Sequence, residues 1–312
     1  MDALLYKKLK EFGKVRANVP LAKFTTFKIG GSAEVLLDVD NKEKLIQVLD
    51  FLVAIGENYF VMGGGSNTLL SDEVFSGVVI RNRTDGFDKR GDTIEAESGL
   101  SFGYLTNFAV KQSLSGLEWS AGLPGTVGGA VRGNAGAAGG EMAGNVTKVE
   151  AWIDGEVVRI DGSECGFGYR DSIFKRNRGV VLKAWFNLAP GDAKKSLLLM
   201  QEIVKRRNGY YPPYPSAGSF FMNVPISVWK RKAFALPSEF VANGRIPAGW
   251  LIDQSGLKGF QSGGAMISKE HGNFIINRSG ATQADVLRVV EEVKSKVYNI
   301  FQISLEEEVR IL

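Results

Sequence analysis

The sequence predicts a mixed α+β protein of two or three domains, and three observations carry that prediction. Strand-like and helix-like stretches alternate through the first part of the chain. Glycine is concentrated in particular loops rather than spread evenly, and a long amphipathic helix lies near the C-terminus. The 312 residues, 44% hydrophobic and 23% charged, are enough to build more than one apolar core.

Residues 34–39 read as a strand, and 43–54 as a helix because Leu45, Val48, Leu49 and Leu52 recur at helical spacing. The apolar run 59–62 breaks into Gly63-Gly-Gly-Ser-Asn67, a strand followed by a tight loop. Residues 78–81 and 93–98 read as strands, and Ser101 is placed to cap a helix running to about Lys111. The window 121–144 holds nine of the 38 glycines. A flexible linker would be polar and serine-rich. This window is rich in Ala and Val instead, so it is expected to be ordered backbone packed where side chains would not fit. Residues 146–153 and 156–160 flank Asp154-Gly155, the signal of a type I′ hairpin, and 180–188 is a further strand. A basic helix over 193–207 leads into Tyr210-Tyr-Pro-Pro-Tyr-Pro215, expected to be non-helical and to mark a domain crossing. A loop-rich stretch reaches Lys258, and apolar segments follow at 264–267 and 273–277. Thr282-Gln-Ala-Asp285 then opens a helix with Val286, Val289, Val290, Val293 and Val297 on one face. Residues 303–312 are expected to close the chain as a strand.

Composition excludes several classes. The single cysteine, Cys165, rules out a disulfide framework and any multi-cysteine zinc or iron–sulfur site, and the single histidine, His271, argues against a histidine-based metal centre; no metal is expected. The net charge of +4 is a mixture of 38 basic and 34 acidic residues. No nucleic acid partner is expected from such a balance, although local cationic clusters would suit an anionic small molecule. The start of the chain lacks the basic and apolar regions of a signal peptide. The longest apolar stretch, around 51–56, is far short of the ~20 residues of a membrane span. The expectation is a cytoplasmic protein, with a monomer the favoured state.

The loops at 63–67 and 122–136 offer closely spaced N–H groups with few side chains in the way, a geometry that binds phosphate oxygens. There is no P-loop motif and no G-x-G-x-x-G. The nearest match, Gly166-Phe-Gly168-Tyr-Arg-Asp171, ends in Asp. Glycines serving turns and bulges alone are the plain alternative. Residue chemistry by itself reaches a phosphorylated ligand held in an extended pose.

A series of motifs carries more. In order, Thr25-Thr-Phe-Lys-Ile-Gly-Gly31, Gly63-Gly-Gly-Ser-Asn67, Gly122-Leu-Pro-Gly-Thr-Val-Gly-Gly129, Asn134-Ala-Gly136 and Gly168-Tyr-Arg-Asp-Ser172 occur in the first two thirds. They are followed by Pro215-Ser-Ala-Gly-Ser-Phe-Phe221, Asn223, Ile246-Pro-Ala-Gly-Trp-Leu-Ile-Asp253, Leu257-Lys-Gly, Gly263-Gly-Ala and Leu305-Glu-Glu-Glu-Val-Arg310. From about residue 18 to the C-terminus the chain resembles the MurB family, the UDP-N-acetylenolpyruvoylglucosamine reductases of bacterial peptidoglycan synthesis. The resemblance implies an FAD-binding fold of the vanillyl-alcohol-oxidase type. Two α+β subdomains (1–68 with the C-terminal 301–312, and 69–205) would hold the flavin, and a third α+β domain (206–300) would bind substrate. It implies noncovalent FAD, NADPH as reductant and an enolpyruvyl ether of UDP-N-acetylglucosamine as substrate. His271 is not placed where it would tether the flavin. Family FAD contacts fall on Gly63, Gly64, Gly65, Ser66 and Asn67, on Gly122, Pro124, Gly125, Thr126, Gly128 and Gly129, and on Asn134, Ala135 and Gly136.

The substrate's chemistry asks for two things beyond hydride: positive charge or donors on the developing enolate, and a proton for the adjacent carbon. By the resemblance, Arg170 polarises the carboxylate, Ser219 donates the proton and Glu308 stabilises the enol intermediate. Without it, Arg170 reads as a surface arginine paired with Asp171, and Ser219 as a turn serine. Glu306 and Glu307 are the neighbours with which Glu308 is most easily confused; on a strand Glu306 and Glu308 would share a face. Tyr169, Asn223 and Gln261 match substrate-contacting positions, against a loop cap for Asn223 and a polar edge residue for Gln261. The segment between Tyr169 and Ser219 is short, as in members lacking an extra tyrosine loop. Arg206 and Arg207 stand near a frequent Lys or Arg, and Met222 stands where a Lys is frequent. The competing readings are another FAD oxidoreductase of this fold acting on a sugar or lactone, and a silent UDP-sugar-binding protein.

Overall fold

The computed structural model describes residues 3–230 and 235–312. The chain packs as two compact units. One comprises 1–19, 33–64 and 75–207; the other comprises 20–32, 65–74 and 208–312.

The first unit contains two sheets. One runs in the order Lys14–Pro20, Ser32–Val39, Phe75–Asn82, Tyr59–Met62, with Phe75–Asn82 parallel to both neighbours. Parallel neighbours need a crossover, and the helix Lys42–Ala54 lies between the strands Ser32–Val39 and Tyr59–Met62 in the chain. The predicted face of Leu45, Val48, Leu49 and Leu52 is buried against Val35, Leu37, Val39, Val78 and Ile80. The Asn41 side chain accepts from Lys44 N at 2.9 Å and caps that helix.

The second sheet is antiparallel, in the order Glu156–Asp161, Val146–Ile153, Val180–Asn187, Thr93–Glu97, Phe87–Arg90. Its hairpin turn has φ of 50° at Asp154 and 89° at Gly155, the two positive values that a type I′ turn requires. The helix Phe102–Lys111, capped by Ser101, buries Phe102, Leu105 and Ala109 in a core with Val149, Ala151, Phe174, Ala184 and Phe186. The 68/69 boundary implied by the resemblance would precede Phe75–Asn82, a strand that pairs within the first sheet.

The second unit is built on a sheet ordered Ser216–Ser219, Phe274–Asn277, Ala265–Ile267, Gln261–Ser262. The helix Gln283–Phe301 buries its five predicted valines in a core with Phe27, Ile29, Leu69, Phe220 and Leu251. Its capping box is complete: Thr282 Oγ1 accepts from Asp285 N at 3.1 Å, and Asp285 Oδ2 accepts from Thr282 N at 3.1 Å. The terminal strand Arg310–Ile311 lies parallel to Thr68–Leu69.

Several expectations change. The basic helix runs Ala193–Tyr210, so Tyr210 is helical. Pro212 restricts the residue directly before it, Tyr211, and leaves Tyr210 unconstrained. The stretch read as loop-rich, up to Lys258, contains the helices Ser238–Ala242 and Ala248–Gln254. Pro247 stands at the cap of the last helix, where a proline does not break it. Of residues 303–312 only Arg310–Ile311 is regular strand, so the alternation argued for Glu306 and Glu308 does not apply. The helix Ala3–Leu9, the strand Lys14–Pro20 and the short helix Val127–Arg132 inside the glycine-rich window were not foreseen. Among the described residues no helix is long and apolar enough to cross a membrane.

Candidate active site

The two glycine loops meet. A Cβ on Gly64 would stand 3.0 Å from Gly125 Cα, and one on Gly63 would stand 2.5 Å from Thr126 Oγ1. Gly64 thus packs on main chain and Gly63 on the Thr126 side chain, where an added side chain would intrude. Thr126 caps the helix Val127–Arg132, accepting from Gly129 N at 3.4 Å. A Cβ on Gly128 would be 2.7 Å from Ser98 Cβ, so this position serves packing. Gly64, Gly122, Pro124 and Gly129 are exposed. Their uncluttered backbone is what a phosphate-bearing cofactor needs for close approach, and the residues present fit an FAD on this ground. Arg207, near the end of Ala193–Tyr210, places its Nε 3.4 Å from the Cβ position of Gly122, a permanent positive charge beside that loop. Further along 63–67, Gly65 has a φ of +61° and faces the Phe24 carbonyl. Asn67 Nδ2 donates to Glu308 O at 3.1 Å, and Ser66 is half-buried.

The Gly168–Asp171 turn is held from below by Asn134. This residue is fully buried, its Nδ2 donates to Gly168 O at 2.8 Å, and its Oδ1 accepts from Ala143 N at 3.0 Å. The amide of Asn134 is thus engaged within the protein. Arg170 sits in the left-handed region, with φ 57°. Its Nη2 donates to Gly136 O at 2.6 Å, its guanidinium lies 5.4 Å from the centre of the Tyr169 ring, and its carbonyl accepts from Lys175 Nζ at 2.5 Å. A non-glycine residue in this conformation is strained and persists where its surroundings over-determine it. Asp171, the partner in the plain surface reading, forms an ion pair with Arg176. Ala135 donates to Ala130 O and accepts from Met142 N, both at 2.9 Å. The Gly136–Ala137 strand pairs with Gly140–Glu141.

In the second unit, Ser219 ends a strand whose register shifts between Ser216 and Ser219, and Gly218 within it has a φ of +83°. Glu308 N donates to Phe220 O at 2.8 Å and Met222 N donates to Glu306 O at 2.9 Å. This irregular pairing brings Glu308 alongside Phe220, the residue after Ser219. It also separates Glu308 from Glu307, whose carboxylate pairs with Lys294 Nζ at 3.0 Å. Asn223 Oδ1 accepts from Ala248 N at 3.1 Å, the loop-cap geometry. Gln261 is exposed on the edge strand, its Nε2 donating to Gly263 O at 2.8 Å. His271 lies among Tyr210, Tyr211 and Phe274, with ring centres 4.7–5.7 Å apart. Burial pushes its pKa down to about 4. Burial likewise pushes the Cys165 thiol up to about 11, which leaves it unreactive at neutral pH.

Glu118 escaped the sequence reading, since nothing local marks a glutamate as buried. It is 6% exposed, and its carboxylate accepts from Ser196 Oγ at 2.5 Å and Gly116 N at 2.7 Å. It thereby ties the helix Ala193–Tyr210 to the segment leading into Gly122. Burial raises its pKa, but the bonds from Ser196 and Gly116 outweigh burial and hold it below the ordinary carboxylate value. A depressed folded-state pKa contributes stability above the unfolded value of about 4.3, lost as pH falls through the folded value. Glu118→Gln is expected to be less stable than the parent at neutral pH, with the gap closing below about pH 4. Urea unfolding at a series of pH values checks this, and a gap independent of pH contradicts it.

The comparisons fit this geometry. A family model for the UDP-N-acetylenolpyruvoylglucosamine reductase C-terminal domain matches residues 211–312, and one for an FAD binding domain matches 33–161. The UDP-N-acetylenolpyruvoylglucosamine reductase of Carboxydothermus hydrogenoformans is 38% identical over 302 residues, covering 96% of this chain and 94% of its own length. That of Bacillus subtilis is 37% identical over 311 residues, covering 98% of this chain and 96% of its own. The crystal structure of UDP-N-acetylenolpyruvylglucosamine reductase (MurB) from Thermus caldophilus superimposes with a TM-score of 0.77 at 35% identity, covering 96% of this chain and 99% of that one. The expected α+β fold with an FAD-binding domain is borne out. With identity of this order along nearly the whole of both chains, the chain belongs to the UDP-N-acetylenolpyruvoylglucosamine reductase family.

Proposed function

We propose that this protein is an FAD-dependent oxidoreductase that uses NADPH to reduce the enolpyruvyl ether of UDP-N-acetylglucosamine to UDP-N-acetylmuramate. It would supply a peptidoglycan precursor in the cytoplasm. The observation that carries the reading is the pairing of Phe220–Met222 with Glu306–Glu308, which seats two of the three catalytic candidates beside one short segment. The three-part division into 1–68 with 301–312, 69–205 and 206–300 belongs to the same proposal.

FAD, when bound, supplies the hydride. The main chain at Gly63–Gly65 and Gly122–Gly129 would hold its phosphates, with Arg207 adding positive charge beside Gly122. Arg170 binds the substrate carboxylate through its planar fork and draws electron density from the double bond. Its turn, fixed by Asn134 and Lys175, presents the guanidinium without reorganisation, the condition under which charge stabilisation is most effective. The Ser219 hydroxyl delivers the proton to the carbon bearing the ether oxygen. Glu308 stabilises the enol form from the neighbouring strand-like segment. Tyr169, Asn223 and Gln261 orient the nucleotide-sugar.

Purified protein is expected to be yellow, and NADPH absorbance should fall when the enolpyruvyl nucleotide is added. A colourless protein that binds UDP-sugars would overturn the enzyme reading. NADPH-independent oxygen consumption with sugars would replace it with an oxidase.

A further inference from the structure

Ser219 is followed by two buried residues, Phe220 and Phe221, that lie outside the regular strand. Their main chain is held on one side by Glu308 N, 2.8 Å from Phe220 O. On the other side Asn273 makes three hydrogen bonds to them. Phe220 N donates to Asn273 O at 2.8 Å. Phe221 N donates to Asn273 Oδ1 at 2.9 Å, and Asn273 Nδ2 donates back to Phe221 O at 2.8 Å. The side-chain amide exchanges two bonds with one residue, as a neighbouring strand would.

Asn273 is itself fixed. It is 3% exposed, precedes the strand Phe274–Asn277 whose Phe274 pairs with Ser219, and donates its N–H to His271 Nδ1 at 3.1 Å. That bond needs an unprotonated imidazole nitrogen, and burial among three aromatic rings keeps His271 neutral at ordinary pH.

We propose that Asn273 is a positioning residue for the reduction: by fixing the main chain of Phe220 and Phe221 it sets the Ser219 hydroxyl. The proposal rests on the role given to Ser219 above. An aspartate keeps the shape and the acceptor but loses the donor to Phe221 O; an alanine loses both. Misplacement of a reacting group by about an ångström costs on the order of 10²-fold, whereas a cofactor held by the glycine loops is untouched.

The test uses the flavin-loaded full chain, with the two half-reactions followed separately by rapid mixing. Asn273→Ala and Asn273→Asp are expected to slow the enolpyruvyl half-reaction by about 10- to 100-fold. Flavin reduction by NADPH should stay within about twofold of the parent, and the substrate KM within about threefold. In a Ser219→Ala background, Asn273→Ala should add less than about threefold, because the group it positions is gone. Amide exchange at Phe221 should quicken while the helix Gln283–Phe301 is unchanged. Equal slowing of both half-reactions with loss of flavin, or effects that multiply with Ser219→Ala, would overturn the proposal and leave the Ser219 role standing. A Ser219→Ala enzyme with full rates would overturn both. If Asn273→Ala does not fold, Asn273→Asp carries the same comparisons.

Discussion

Ser219→Ala is expected to slow reduction of the enolpyruvyl substrate by at least ~10²-fold, the scale of losing a general acid, while flavin reduction by NADPH proceeds at its normal rate. The alanine removes only the hydroxyl. The Ser219–Phe274 pairing, the Gly218 turn and the Glu308–Phe220 bond all use main chain, so the fold and the substrate site are left intact. A free hydroxyl is a poor acid, and its competence would depend on where it is held; the main chain that follows it is bonded at both Phe220 and Phe221. Single-turnover mixing of reduced enzyme with substrate isolates the affected step. If both half-reactions ran at parental rates, the proton would have to come from elsewhere.

Gly65→Val is expected to have the largest effect on cofactor retention. At φ +61° a side chain of the L series costs about 1–2 kcal/mol, and the added Cβ would overlap the Phe24 carbonyl oxygen. That oxygen cannot swing aside like a side chain, because Thr26, two residues on, is tied by its N–H to Gly65 O at 3.1 Å and by its hydroxyl to Ser216 O at 2.7 Å. Overpacking adds roughly 1–3 kcal/mol. The loop 63–67 must shift, and the flavin-to-protein ratio after purification should drop by more than about tenfold, the equivalent of 1.4 kcal/mol. Gly91→Ala is the control, since its φ of +60° carries a similar strain with nothing within 4 Å of the new Cβ. It should lower stability slightly and leave the flavin content unchanged. Equal flavin loss in both variants would show that positive φ alone, and not the contact with Phe24, was responsible.

Much of the architecture was legible because local pattern and tertiary demand agreed. The helix Lys42–Ala54 buries the four residues its periodicity named, and Thr282-Gln-Ala-Asp285 forms the capping box it spelled. The Asp154-Gly155 turn has both positive φ values that its residue types favour. Where residue chemistry stopped, at a phosphate-binding main chain, the ordered motifs carried the reading to a flavoenzyme family, and full-length relatives bore that family out.

The sequence by itself determined the elements whose cause is local: apolar spacing, caps, turn residues, and glycines where a side chain would collide. Only the tertiary structure decided what depends on partners distant along the chain. It made 306–309 an irregular ladder to 220–222 rather than a strand, engaged Asn134 under the Arg170 turn, and buried Glu118 against Ser196. It also turned Asn273, one letter in an apolar segment, into the amide that stands in for a strand beside Phe221. The physical reason is the same in each case. A buried polar group must find its partner, and that partner is chosen by the fold, 52 positions away for Asn273 and 78 for Glu118.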